Sequence, residues 1–290
     1  MTTIEGQVAF ITGAGSGIGR GAAERLAREG ADIAVADIDL EGANETAELV
    51  RGLGRKAHVI AMNAASQSQV IGAVDNATEA LGRFDIAIAN AGIARAGSIL
   101  DLSLKDWQDQ VDINLTGVFL TAQAAARKMV ELKNGGRIVC MASLAAENTG
   151  AMSWGYSATK AGVRMMVRGW AQELGSHGIT VNAIGPGIIA TPLASVLAGR
   201  EDGEIRKRVE ELTPVGRVGQ PSDIAGLIAF LCGPDAGFMT GSYLIMDGGL
   251  RDARAGGMPD PTDPRAVEAL ELIQQEGKRR IRLQQLIDDR

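Results

Sequence analysis

Short apolar segments alternate with longer segments of helical periodicity over most of this 290-residue chain. The apolar segments are rich in Val, Ile and Ala and cover residues 7–12, 32–37, 57–62, 84–90, 137–143, 179–184 and 242–247. Their apolar character is continuous rather than alternating, which indicates strands buried on both faces. Strands separated by helices predict an α/β fold with a doubly wound parallel sheet of about seven strands in a single domain.

The composition of the chain excludes several classes of function. The net charge is −6 and no long basic tract is present, so we expect no nucleic-acid partner. No apolar run approaches the roughly 18 residues of a membrane span and the N-terminus lacks a signal peptide, so we expect a cytoplasmic protein without a membrane partner. Cys140 and Cys232 lie beside apolar runs and are expected to be buried free thiols. The acidic residues lack the spacing of a metal site, so no metal is expected.

The composition changes after residue 250. Residues 1–250 contain all seven apolar segments and are predicted to form one domain. Residues 251–264 carry three of the eight prolines of the chain and predict an extended linker. Residues 265–290 have apolar positions at helical spacing and predict a C-terminal helical extension. We interpret this helix as a contact with a neighbouring subunit, with packing on its own subunit and disorder as the alternatives.

A glycine-rich turn, 12-TGAGSGIG-19, follows the first apolar segment and opens a helix. Glycine allows a tight turn, and it lets backbone N–H groups approach a pyrophosphate at the positive end of the helix. A turn between a strand and a helix is the place where a dinucleotide cofactor binds. The predicted cofactor-binding residues of this loop are Gly13, Ser16, Gly17, Ile18 and Gly19.

Asp37 ends the second apolar segment and predicts which cofactor binds. A carboxylate at this position accepts hydrogen bonds from the adenosine ribose hydroxyls and repels a 2′-phosphate. The loop itself contains no basic residue, and Arg20 after it is the one possible phosphate partner. The pattern therefore favours NAD, with NADP less favoured. An alternative is that Asp37 caps the helix that follows it.

The stretch 153-SWGYSATKAG-162 places a phenol and an amine four residues apart on one helical face, with small residues around them. A phenol with a pKa near 10 can exchange protons at neutral pH only if that pKa is lowered, and a nearby ammonium lowers it. Ser143 ends an apolar segment, where its hydroxyl can reach a substrate oxygen. Tyr156, Lys160 and Ser143 thus predict an acid/base, its pKa modulator and an oxygen-binding donor. A surface Tyr/Lys pair and a helix-capping serine are the alternatives.

These motifs together resemble the short-chain dehydrogenase/reductase family over residues 5–250. The matching elements are TGAGSGIG, Asp37, NAG at 90–92, Asn114, Ser143, YSATK at 156–160, PG at 186–187 and DGG at 247–249. The resemblance implies a seven-stranded Rossmann sheet and nicotinamide-dependent oxidoreduction of alcohols and carbonyls. It also implies a homo-oligomer, either a tetramer or a dimer.

The resemblance assigns roles to further residues. It implies that Tyr156 is the acid/base and that Lys160 binds the nicotinamide ribose in addition to lowering the pKa of the tyrosine. It also implies that Asn114 holds a water molecule in a proton relay to Lys160. Its other implied cofactor contacts are Asn63, Asn90, Ala91, Gly92, Pro186, Gly187, Ile189 and Thr191. Asn63 stands where the family commonly has an aspartate, and Ala89 stands where it often has an asparagine before Asn90.

The function predicted from these residues is an NAD-dependent oxidoreductase that interconverts a small secondary alcohol and its ketone. One alternative is a reductase of 3-oxoacyl thioesters. Another, of a different class, is a nucleotide-sensing or scaffold protein without catalysis on the same fold. The candidate substrate-pocket residues are Ile93, Ala94, Arg95, Ala145, Glu147, Asn148, Met152 and Trp154, with residues 193–212 as a lid that resembles the mobile lid of the family.

Overall fold

The computed structural model describes residues 4–198 and 203–251. The predicted helix at 265–290 and all but the first residue of the predicted linker lie outside these ranges. The strands are β1 (Val8–Thr12), β2 (Asp32–Asp37), β3 (Ala57–Ala61), β4 (Ile86–Ala89), β5 (Gly136–Met141), β6 (Ile179–Pro186) and β7 (Tyr243–Met246). The helices are α1 (Gly17–Arg28), α2 (Leu40–Gly52), α3 (Gln67–Leu81), α4 (Leu104–Val111), α5 (Gly117–Leu132), α6 (Trp154–Leu174), α7 (Ser195–Ala198), α8 (Glu204–Leu212) and α9 (Pro221–Cys232).

The strands form one parallel sheet in the order β3-β2-β1-β4-β5-β6-β7. This confirms the predicted seven-stranded, doubly wound Rossmann architecture. The chain reverses its direction of winding between β1 and β4, so the loops that leave these two strands diverge and open a crevice. Ligands of open α/β sheets bind in such a crevice at the carboxyl ends of the strands.

Two apolar cores cover the two faces of the sheet. One contains the Phe10 and Phe84 rings, whose centroids are 5.9 Å apart, together with apolar side chains of α3, α5 and α6. The other lies between the sheet and helices α1, α2 and α9 and includes Ile11 and Ile33. Neighbouring residues of a strand thus point into opposite cores, which is why the strands are continuously apolar in sequence.

Local signals in the sequence set the ends of several helices. The Asp39 side chain accepts the N–H of Gly42 and caps α2, and the Ser103 hydroxyl accepts the N–H of Asp106 and caps α4. The capping residue of α2 is therefore Asp39, and the alternative that Asp37 caps this helix is wrong. Gly82 ends α3 in the left-handed conformation, with φ 79°.

Both cysteines, Cys140 in β5 and Cys232 at the end of α9, are buried and free, as predicted. Burial raises the pKa of each thiol to about 12. In residues 4–198 and 203–251, no helix is both long and apolar enough to span a membrane. Within the same ranges, no three His, Cys, Asp or Glu side chains form a cluster that could hold a metal ion.

Candidate active site

The glycine loop between β1 and α1 is packed too closely for side chains at two of its positions. A Cβ added to Gly19 would lie 2.1 Å from the carbonyl oxygen of Gly13, and one added to Gly13 would lie 2.9 Å from the Cα of Ala91. Gly13 and Gly17 also have positive φ angles, 65° and 53°, which favour glycine. The loop therefore passes close to the end of β4 and opens directly into the N-terminus of α1. This cradle has the shape and polarity that a pyrophosphate requires.

The Asp37 carboxylate closes one side of the glycine loop. Its Oδ2 accepts the N–H of Gly15 at 2.7 Å, and its Oδ1 accepts the N–H of Asp39 at 2.9 Å. A negative charge is therefore held at the carboxyl end of β2, beside the loop.

Arg20 is held by other groups near the same loop. Its guanidinium donates to the carbonyl of Gly15 at 2.6 Å and pairs with Glu45 of α2 at 2.6 Å. Its Nε also donates to the Thr46 hydroxyl at 3.1 Å. Arg20 thus fastens the loop to α2, and its guanidinium is already engaged with a carboxylate and backbone carbonyls.

Thr12 connects the loop to the end of β4, a contact that the motif analysis missed. Its buried hydroxyl accepts the N–H groups of Asn90 and Ala91 at 3.0 and 3.1 Å. The Asn90 side chain donates in return to the carbonyls of Thr12 and Gly13, both at 3.0 Å. Asn90 and Ala91 therefore shape the wall of the cradle. This role of Thr12 could have been predicted from its position directly before Gly13, at the end of a buried strand.

The segment after β6 crosses over the glycine loop. The Cγ2 of Thr191 would be 3.1 Å from a Cβ at Gly17, so Thr191 lies against the loop. A Cβ at Gly187 would lie 2.7 Å from the Cα of Asp247, which fixes the end of β6 beside the end of β7. Pro186 ends β6, and buried Ile189 forms an isolated parallel bridge with Gly219. The structure thus places Thr191 against the glycine loop, and Pro186, Gly187 and Ile189 in the segment that leads from β6 to it.

The remaining predicted cofactor contacts lie at the loop and at the end of β3. Ser16 is exposed and precedes α1, and Ile18 packs against the core beneath the loop. Asn63 is exposed just beyond β3, and its side-chain oxygen accepts the N–H of Ala65 at 2.9 Å. This bond shapes the turn into α3.

Tyr156 lies in the first turn of α6. Burial raises the pKa of the Tyr156 phenol, and the nearby Ser143 side chain lowers it. The Ser143 hydroxyl also accepts the N–H of Ala145 at 3.1 Å and caps the short 3₁₀ helix Leu144–Ala146. Ser143 therefore has the capping role that was the alternative to its predicted role as a donor to the substrate oxygen, and that predicted role stays a prediction.

Lys160 lies one helical turn after Tyr156 and is almost completely buried. Its Nζ is 5.6 Å from the centroid of the Tyr156 ring and donates to the carbonyl of Met141 at 2.8 Å. Burial lowers the pKa of Lys160 from 10.5 to about 8. The lysine therefore faces the tyrosine ring as expected, but its own hydrogen bond goes to the end of β5.

Asn114 lies in a π-helical turn, Asp112–Thr116, between α4 and α5. Its buried side chain accepts the N–H of Ile93 and donates to the carbonyl of Ile93, both at 2.8 Å. A Cβ at Gly92 would lie 3.2 Å from the Asn114 oxygen and 3.5 Å from the Lys160 nitrogen. The segment after β4, the π-turn and the lysine of α6 thus meet at one point. π-Turns of this kind are frequent at functional sites.

Two of the candidate pocket residues, Met152 and Trp154, make contacts with the segments before α4 and in α4. Trp154 stacks on Trp107 of α4 with ring centroids 5.8 Å apart, and its buried indole N–H has no hydrogen-bond partner among the described residues. Met152 has a left-handed backbone, with φ 73°, and its carbonyl accepts the N–H of Gly97 at 2.9 Å. These contacts join the segment before α6 to the segment after β4.

The charged candidates for the substrate pocket are paired within the chain. Arg95 lies 3.6 Å from Asp106 of α4, and Glu147 pairs with Arg164 of α6 at 3.2 Å and with Arg251 at 3.4 Å. Of the predicted lid, the structure describes α7, α8 and the residues beside them, but not residues 199–202.

The fold and the glycine cradle define a dinucleotide-binding protein of the Rossmann class, with a Ser, Tyr and Lys group in its crevice. A family model described as "Enoyl-(Acyl carrier protein) reductase" matches residues 13–251. L-2,3-butanediol dehydrogenase of Corynebacterium glutamicum is 38% identical over 253 residues, which cover 84% of this chain and 98% of the relative. The chain therefore belongs to the short-chain dehydrogenase/reductase family.

Two similar crystal structures contain different cofactors. Carveol dehydrogenase from Mycobacterium avium, in complex with NAD, has a TM-score of 0.80 at 32% identity and covers 86% of this chain and 99% of its own. A proposed 2-deoxy-D-gluconate 3-dehydrogenase from Agrobacterium tumefaciens, with bound NADP, has a TM-score of 0.78 at 34% identity and covers 86% of this chain and 98% of its own. The comparisons thus establish a nicotinamide-dependent oxidoreductase family without distinguishing the two cofactors.

Proposed function

We propose that this protein is an NAD-dependent oxidoreductase that interconverts a small secondary alcohol and its ketone, with Tyr156 as the acid/base. The observation that carries the proposal is the group formed by Ser143, Tyr156 and Lys160 at the carboxyl edge of the sheet. The Ser143 side chain is close enough to the phenol to lower its pKa, and the lysine nitrogen is 5.6 Å from the ring centroid. The butanediol dehydrogenase among the relatives acts, by its name, on a small secondary alcohol.

The chemistry follows from what each side chain can do. The Ser143 hydroxyl orients the substrate oxygen, and Tyr156 takes the proton of an alcohol or returns it to a carbonyl oxygen. Lys160, with a pKa of about 8, is mostly protonated at neutral pH, and its charge favours the tyrosinate form. NAD, when bound, supplies the acceptor of the hydride.

The residues around the glycine loop support NAD rather than NADP. The Asp37 carboxylate is fixed beside the loop by the N–H of Gly15. Arg20, the candidate partner of a 2′-phosphate, is instead engaged with Glu45 and with the loop carbonyl of Gly15. A 2′-phosphate would therefore meet a fixed negative charge without a free arginine from this position.

The side chain of Asn114 positions the segment that follows β4. Both of its polar atoms are bound to Ile93, so the amide fixes the segment after Gly92 beside Lys160. We propose that this π-turn holds the water of a proton relay to Lys160. We also propose that the protein is cytoplasmic and that it forms a homo-oligomer. The oligomer is supported by large apolar side chains of α4, α5 and α6 that are exposed, at Leu104, Phe119 and Met165.

The test is a screen of secondary alcohols, sugar alcohols and hydroxy acids with purified protein and NAD, following the absorbance of reduced nicotinamide. Tyr156→Phe is measured beside the wild type, and its NADH affinity is determined by fluorescence. We expect the variant to lose at least about 1,000-fold in kcat while its NADH affinity changes by less than about three-fold, since only the acid/base is removed. Near-normal turnover by Tyr156→Phe would show that another group exchanges the proton.

A second candidate is a reductase of 3-oxoacyl thioesters, because the 3-oxoacyl-[acyl-carrier-protein] reductase of Aquifex aeolicus is 35% identical to this chain over 248 residues. The same protein is therefore assayed in the reverse direction with acetoacetyl-CoA and with simple ketones, using NADH and NADPH. Turnover of the thioester alone would select this candidate. Binding of NADH without turnover of any substrate would instead support a nucleotide-sensing protein.

A further inference from the structure

The hydroxyl of Tyr243, in the edge strand β7, donates a hydrogen bond to the backbone carbonyl of Ser143 at 2.6 Å. We propose that Tyr243 is a positioning residue that fixes Ser143, and through it the position of the Ser143 hydroxyl relative to Tyr156. The proposal rests on the oxidoreductase function proposed above. It assigns a role in the active site to a residue that lies 100 positions after Ser143 in sequence.

The Tyr243 side chain reaches Ser143 by crossing the neighbouring strand. A Cβ added to Gly185 of β6 would lie 2.4 Å from the Tyr243 oxygen and 2.6 Å from its Cζ. Only glycine therefore leaves room for the phenol at this point of the sheet. Gly185 and Tyr243 therefore act together, because the missing side chain at residue 185 makes the space that the Tyr243 phenol occupies.

The other face of the Tyr243 ring is covered by Arg164 of α6. The Cζ of this guanidinium is 4.9 Å from the ring centroid, a distance that gives a cation–π contact. Arg164 also pairs with Glu147 at 3.2 Å. The segment from Ser143 to Glu147 is thus held at its first residue by Tyr243 and at its last by Arg164.

The position of the Ser143 hydroxyl depends on this anchoring. The hydroxyl accepts the N–H of Ala145, so its direction follows the backbone of the 3₁₀ helix that begins at Ser143. Burial raises the pKa of Tyr243 to about 12, with a smaller contribution from Glu147 in the same direction, so the phenol remains a hydrogen-bond donor over the working pH range. A shift of the Ser143 carbonyl would move the hydroxyl away from Tyr156.

The test removes the single oxygen with Tyr243→Phe in the full chain. We expect kcat for the substrate found in the screen to fall about ten-fold, while the NADH dissociation constant stays within two-fold, because one positioning hydrogen bond is lost. In the Ser143→Ala background, Tyr243→Phe should cause no further loss, since the serine through which it acts is already absent. A wild-type kcat in Tyr243→Phe, or an equal loss in both backgrounds, would overturn the proposal.

Thr240→Val is the matched control, because the Thr240 hydroxyl accepts the N–H of Val181 in β6, away from Ser143. It should lower Tm and leave kcat unchanged, as expected for a merely structural hydroxyl. Hydrogen exchange of the peptide covering residues 142–147 is measured in the same proteins and does not depend on turnover. Exchange should be faster in Tyr243→Phe than in Thr240→Val. If the wild type turns over no substrate, the proposed function fails. Equal rates of hydrogen exchange in residues 142–147 of the two variants would overturn the role of Tyr243, whatever the outcome for turnover.

Discussion

The carboxylate of Asp37 accepts the backbone N–H of Gly15 at 2.7 Å, so the end of β2 and the glycine loop are joined by a charged hydrogen bond. The bond holds both the loop and the negative charge beside it. Hydrogen bonds to charged groups contribute about 1.5–3 kcal/mol, more than those between neutral groups. One side chain therefore influences both how well a dinucleotide binds and which dinucleotide binds.

Asp37→Ala should reduce the preference for NAD over NADP by about 10–100-fold, because the repulsion of a 2′-phosphate and the contact with the ribose hydroxyls are removed together. The measurement is kcat/KM for each cofactor at a saturating concentration of the second substrate. Asp39→Ala is the control, since Asp39 is exposed two residues later and caps α2. It should cost about 1 kcal/mol in the free energy of unfolding and leave the cofactor ratio unchanged. An unchanged ratio in Asp37→Ala would assign cofactor selection to another residue.

The fold could be predicted from the sequence because each strand is buried on both faces and is therefore continuously apolar. The errors are at the strand ends. Strand β4 begins at Ile86 rather than at residue 84. The buried Asp85 side chain before it accepts the N–H of Val8 at 2.9 Å and binds Arg83, contacts that the hydrophobic pattern does not reveal.

The residues of the site were predictable where their type and spacing carry the chemistry, as with Gly13, Asp37 and the Tyr156–Lys160 pair. The hydrogen-bond partners of these residues could not be predicted from the sequence. The contact of Tyr243 with Ser143 depends on the register of β5, β6 and β7, and the bond from Lys160 to Met141 depends on how α6 packs on the sheet. Contacts between residues distant in sequence follow from the assembled sheet, and no local pattern encodes them.

The buried ammonium of Lys160 predicts a dependence of stability on pH. The pKa of this group is lowered from 10.5 to about 8 in the folded protein, so between these values the unfolded chain binds more protons than the folded one. The contribution of Lys160 to the free energy of unfolding therefore rises as the pH increases from about 8 to 10.5. Below pH 8 the folded protein carries a buried charge that costs about 3 kcal/mol.

Lys160→Met removes this buried charge and one hydrogen bond to Met141. At pH 7 the variant should be more stable than the wild type by about 2 kcal/mol, with little turnover, because the lost hydrogen bond offsets about 1 kcal/mol. Urea unfolding at pH 7, 8, 9 and 10 should show this gap narrowing as the pH rises. Lys207→Met on α8, where the lysine is exposed, should keep the wild-type dependence on pH. A gap that stays constant from pH 7 to 10 would contradict the prediction.

Met152 and Lys133 are the residues other than glycine with positive φ in the described parts of the chain, at 73° and 55°. Such a conformation costs a residue with a Cβ roughly 1–2 kcal/mol. Lys133 ends α5, whereas Met152 lies four residues before Tyr156 and its carbonyl binds the N–H of Gly97. The two sites therefore carry the same kind of backbone strain, but only Met152 is a candidate pocket residue.

Met152→Gly and Lys133→Gly should each raise the free energy of unfolding by up to about 1 kcal/mol, because glycine relieves the strain at a smaller entropic cost. Only Met152→Gly should also raise the KM of the alcohol, by about three- to ten-fold. Its greater freedom loosens the hydrogen bond that joins the segment before α6 to the segment after β4. The measurements are urea unfolding and steady-state kinetics on both variants. Equal KM values in the two variants would show that the strain at Met152 only shapes the turn and has no part in substrate binding.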